Sequence, residues 1–131
     1  MFAIIEAEEI KTLFANPQPA IDGVVEIADD DPKVAAFFFN MAKADYLNQF
    51  GSVQAAVLSK FVEVTTLGDP DAETLSAMKA ARTAMINIAN ADSVSSAVDP
   101  ESLKSALVAE YQRIVVSVPK DLASVFPELN L

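Results

Sequence analysis

The chain has 131 residues, a formal net charge of −10, three glycines, and neither cysteine nor histidine. Without those two side chains it cannot build disulfides, thiolate or imidazole metal sites, a Cys nucleophile, a Ser-His-Asp triad or a Glu-x-x-His di-iron motif. Hydrophobic residues make up 52% of it, many of them alanine, which points to a folded, helix-rich chain and away from disorder.

Residues 1–31 carry most of the charge. They hold eight acids (Glu6, Glu8, Glu9, Asp22, Glu26, Asp29, Asp30 and Asp31) against Lys11 alone, whereas residues 32–131 hold eleven acids against eight bases. Such a segment repels nucleic-acid phosphates and anionic lipid, so a basic protein surface is its natural complement. The plainer reading is that these charges keep an apolar-rich chain in solution. The opening "MFAIIEAEE" has no basic stretch and meets Glu6 after four apolar residues, which is not the pattern of a signal or transit peptide. Residues 4–15 read as a helix with Ala7, Ile10, Leu13 and Phe14 on one side, although "FAII" also suits a short strand. Asn16-Pro17 and Pro19 break that element. The stretch "AIDGVVEIADD" fits a short helix or an edge strand, and Gly23 weakens both, so it is expected to be mostly irregular.

From residue 32 onward three Asp-Pro pairs, Asp31-Pro32, Asp69-Pro70 and Asp99-Pro100, announce helix starts. The aspartate accepts from free first-turn amides, and proline has no amide to leave unpaired. Gly51, Gly68 and Pro119 read as stops. The expected helices are therefore 32–50, 53–67, 70–91 and 100–118. In the first, apolar side chains occupy two arcs: Val34, Phe37, Phe38 and Met41 on one, Phe39, Tyr46 and Phe50 on the other. That pattern suits a central helix or one that feeds a second interface. Val53, Val57, Phe61 and Val64 line one side of the next helix. Met78, Ala81, Met85 and Ile88 line the third, and Leu103, Leu107, Tyr111, Ile114 and Val118 the last.

The remaining chemical motifs are weak. Ser76 with Lys79 and Ser117 with Lys120 have Ser-x-x-Lys spacing, but the companion motifs are missing and Pro119 interrupts the second. Asp69, Asp71 and Glu73 alternate like the start of a calcium loop, yet Thr74 and Ala80 occupy the positions that need glycine and glutamate. Acids complementing a helix N-terminus explain both this group and Asp29 to Asp31. Arg82, beside the methionine stripe, suits either a snorkelling side chain or a specific ion pair with a neighbouring helix or subunit. No Gly-rich phosphate-binding motif occurs.

The sequence thus predicts an all-α, up-and-down bundle of about four long helices in a single domain over 1–131. Residues 1–31 are its irregular acidic N-terminal segment, 32–118 its four-helix core and 119–131 its short C-terminal helix or tail. The longest charge-free run, Tyr46 to Ser59, is interrupted by polar residues and too short to span a bilayer, so the chain reads as cytoplasmic or part of a soluble assembly. Its expected role is non-enzymatic, with no catalytic residue, cofactor or metal: a protein-interaction or assembly subunit, self-associating, such as a virus-particle or adaptor component. Candidate interface residues are Phe39, Tyr46, Phe50, Phe126, Leu129 and Leu131. The first competing reading is an acidic inhibitor or immunity-type protein contacting a basic partner through Glu8, Glu9, Asp29 and Asp30. The second is an apolar-ligand carrier with a pocket of Phe37, Phe38, Met78 and Met85. Neither nucleic acid nor membrane is an expected direct partner.

Overall fold

The computed structural model describes all 131 residues and corrects the all-α expectation at the outset, because the chain opens with a sheet. Strands β1 (Phe2–Glu6), β2 (Glu9–Phe14) and β3 (Val24–Glu26) form a three-stranded antiparallel sheet in the order β2-β1-β3. Residues 4–15 are therefore a hairpin and not a helix. Glu6 pairs with Glu9, leaving Ala7 and Glu8 as a two-residue turn with φ of 52° and 65°. Positive φ at both central positions is the mark of a type I′ turn, whose twist matches that of the flanking strands. Asn-Gly or Asp-Gly usually announces it. Here alanine and glutamate, both good helix formers, occupy the turn, and a register shift between Ile4 and Ile5 breaks the strand alternation. Both features disguise the strands as a helix.

The chain divides into two compact units, Met1–Ala42 and Lys43–Leu131. In the first unit Ala3, Ile10, Ile27 and Val34 form the core, with Met1, Ile5, Leu13 and Phe37 packed against it. The sheet thus buries one face against the start of helix α1 (Pro32–Leu67). Edge strand β3 falls inside residues 20–30, which the sequence leads one to expect as mostly irregular; pairing with β1 orders it.

Helix α1 overturns a second expectation. The predicted helices 32–50 and 53–67 are one element of 36 residues, and Gly51 lies within it. Phe50 and Val57, seven residues apart, share a buried face with Phe61 only if the helix is continuous. Burying each such side chain is worth about 1.5–3 kcal/mol, whereas an interior glycine costs about 1 kcal/mol relative to alanine. Continuity wins. At Gly68 the need for glycine is one of space: a Cβ there would meet the Val64 carbonyl oxygen at 2.9 Å. The left-handed residue of this turn is Asp69, at φ 43°.

In the second unit, helix α2 (Ala72–Ile86) is shorter than the predicted 70–91. Its N-cap is Asp71, whose carboxylate accepts from the Thr74 amide at 2.8 Å, so Asp69-Pro70 belongs to the connection. After Asn87 the chain makes a 3₁₀ turn (Ile88–Asn90) and the short helix α3 (Asp92–Ser95). Helix α4 (Pro100–Ser117) matches its predicted span closely and opens with a full capping box between Asp99 and Ser102. A 3₁₀ segment (Lys120–Val125) follows Pro119. The apolar stripes read from the sequence for α2 and α4 are buried here: Met78, Ala81 and Met85, and Leu103, Leu107, Tyr111 and Ile114. Four rings run through this core in edge-on contact, Phe50 to Tyr111 to Phe126 to Phe61, with centroids 5.7–6.1 Å apart. No helix is long and apolar enough to cross a membrane.

Candidate functional site

The core use of α1 leaves an unusual outer surface. Within the second unit, Asp45, Asn48, Ser52, Ala55 and Ser59 recur at alternating spacings of three and four residues, and all are exposed. Gly51 and Ala56 flank the strip, and Val62, 66% exposed, continues it. Solvent-facing helix surfaces normally carry charge. Here Asp45 is the only charged side chain between Lys43 and Lys60. Alternation of three and four is the spacing of a helix-pairing seam, and small side chains let a second backbone approach closely. Within the first unit, Phe38 and Met41 stand 46% and 54% exposed on the same helix, with the Phe38 ring edge-on to Phe37.

The residues predicted as an interface divide sharply. Phe50 (2% exposed), Phe126 and Leu129 are core side chains. Phe39, Tyr46 and Leu131 are half-buried. The exposed strip from Asn48 to Ser59 is instead small and uncharged, a class that a search for large apolar residues passes over. The alternating spacing was the available signal, but it becomes visible only once Gly51 is known not to end the helix.

The predicted acidic contact is partly committed within the fold. Asp29 accepts from the Met1 amine at 2.9 Å, and Glu9 pairs with Lys11 at 3.4 Å. Asp31 accepts from the Lys33 amide as α1 begins. Glu8, at the hairpin tip, and Asp30 are exposed and unpaired. Of the residues proposed to line an apolar-ligand pocket, Met85 is wholly buried, Met78 lines a groove between α1 and α2, and Phe37 lines a small hollow beneath the hairpin.

The titration of three groups follows from local geometry. The Thr74 and Ser102 backbone amides hold the Asp71 and Asp99 carboxyls below the usual carboxylate range, as expected of N-caps. Burial pushes the Tyr111 phenol up to about 12, and its hydroxyl donates to the Pro127 carbonyl. No group of three or more acids is gathered to hold a metal ion. Between α2 and α4 lies a cleft of about 490 Å³, where Glu110 accepts from Ser93 at 2.9 Å and pairs with Arg113 at 2.6 Å. Comparison with known proteins finds no family model, no curated protein and no solved structure that matches the chain.

Proposed function

We propose that this chain is a non-enzymatic interaction subunit that self-associates through the outward strip of α1, as a component of a larger assembly. The observation that carries this reading is the strip from Asp45 to Ser59, exposed, small-sided and nearly free of charge on a chain of net charge −10. Two copies repel one another over most of their acidic surface, and a neutral face is where that repulsion is least. The strip is about 21 Å long at 1.5 Å per residue. That length gives a contact at the small, reversible end of protein interfaces, so association depends on concentration.

The acidic-partner reading has less support, because Glu9 and Asp29, two of its four residues, already have partners within the chain. The test is molar mass by light scattering over a dilution series. The wild type rises above the monomer mass with concentration, and added salt maintains or strengthens the effect by screening the net charge. Ala55→Glu, which keeps a good helix former but charges the strip, stays monomeric. A wild type that is monomeric at every concentration, or an Ala55→Glu variant that associates equally well, overturns the proposal.

A further inference from the structure

The connection 68–71 folds α2 back beside the second half of α1, and the two helices leave an open groove of about 440 Å³. Its walls are mostly apolar, with Leu58, Phe61 and Val62 from α1 and Leu75 and Met78 from α2, and two threonines complete the α1 side. The charged residues that line it are Lys79 and Arg82, and no acid does. This runs against composition, since acids outnumber bases 19 to 9 in the chain. Neither cation is in an ion pair; the chain's four ion pairs involve the Met1 amine, Lys11, Lys60 and Arg113. The contrast with the α2–α4 cleft is direct, because the cation there, Arg113, is already paired with Glu110. Lys79 and Arg82 also stand three residues apart on one helix, so like charges face each other with nothing between them to offset the repulsion.

We infer that this groove binds a single-chain anionic amphiphile, an alkyl chain ending in a carboxylate, with the carboxylate held between Lys79 and Arg82. The tail lies along Leu58, Phe61, Val62, Leu75 and Met78. A lysine and an arginine together supply the charge and the paired donors that a carboxylate accepts. The dimensions of the groove suit an alkyl chain. From Leu75 to Arg82 the groove wall runs about 10 Å. The wall length suits a medium-length chain, and the volume lies within the range of small-molecule sites.

The experiment is calorimetric titration of the intact chain with decanoate below its micellar range, beside decyltrimethylammonium and decanol as probes of the same length. Decanoate binds once per chain, decanol binds at least tenfold more weakly, and the cationic amphiphile does not bind. Lys79→Gln with Arg82→Gln lowers decanoate affinity tenfold or more while helicity by circular dichroism is unchanged; both residues are exposed, so the variant folds. Val62 borders both the groove and the α1 strip, so the titration is repeated on Ala55→Glu. Retained decanoate binding in that variant separates this site from self-association. The inference is overturned by equal binding of the cationic and anionic probes, by undiminished binding in the double variant, or by an acidic amphipathic peptide that binds the groove where decanoate does not.

Discussion

In residues 1–42 the buried core consists of Ala3, Ile10, Ile27 and Val34, whereas residues 43–131 bury Phe50, Phe61, Tyr111 and Phe126 in a connected run of rings. The smaller unit depends on backbone pairing across its sheet and on the tight hairpin turn. The larger depends on side-chain packing and on capped helix starts. Side-chain patterns are visible in a sequence, while turn conformations occupied by unfavoured residues are not. The larger unit is accordingly the more legible one.

The largest expected effect falls in the ring core. Phe126→Ala removes the edge contacts to Phe61 and Tyr111 together, and its cost is about 3–5 kcal/mol, the usual range for a buried phenylalanine. Chemical denaturation checks this, and a loss below about 1 kcal/mol means the C-terminal segment is not part of the core.

The next effect is a pH dependence. The folded-state pKa of Tyr111 lies above its ordinary value of 10, so its contribution is complete below pH 10 and is lost as pH rises toward about 12. In a Tyr46→Phe background, phenolate absorbance reports Tyr111 alone. It should rise late in an alkaline titration, together with loss of helical signal. A rise centred on 10 with helicity intact shows that the ring is open to solvent.

A third prediction addresses the small unit. Ala7→Asn with Glu8→Gly installs the residues that a type I′ turn favours and relieves the cost of left-handed backbone. Stability gains about 1–2 kcal/mol, judged from the cost of one such residue. The readout is slower hydrogen exchange at the β1 and β2 amides. Faster exchange in this variant contradicts the turn assignment.

The smallest effect belongs to the caps. Asp99→Ala lowers the melting temperature by a few degrees and leaves the fold intact. Because the folded carboxyl titrates below its ordinary value, the wild-type advantage is present above the usual carboxylate range and fades as pH falls through the folded pKa. An advantage that persists in strong acid rules out the capping role.

The stripe of Leu103, Leu107, Tyr111 and Ile114 and the start at Asp99-Pro100 were legible because periodicity and capping chemistry agree there. Gly51 misled because glycine is a stop only where the chain must turn left-handed, and the burial of Phe50 with Val57 overrides it. Asp69-Pro70 misled by resembling a cap two residues ahead of the real one, Asp71. At the candidate sites, Phe50 and Phe126 are expected at an interface and lie in the core, because the sequence alone does not separate the two for a large apolar side chain. Arg82 reads from the sequence as a snorkelling side chain or an ion-pair partner; it is in no ion pair, and the groove it shares with Lys79 depends on how α2 folds back on α1.

The central claim, pairing of two copies along α1, is tested most directly by cross-linking, because the chain has no cysteine to interfere. Ser52 lies at the middle of the strip, so in a two-fold pair centred there, parallel or antiparallel, it meets its own counterpart. Ser105, exposed on α4, provides the control position. The measurement is the rate of covalent dimer formation on mild oxidation of Ser52→Cys and Ser105→Cys at equal concentration. The account predicts rapid dimer formation for Ser52→Cys and slow formation for Ser105→Cys, with Ala55→Glu slowing the former to the rate of the latter. Equal rates for the two single-cysteine chains would contradict it.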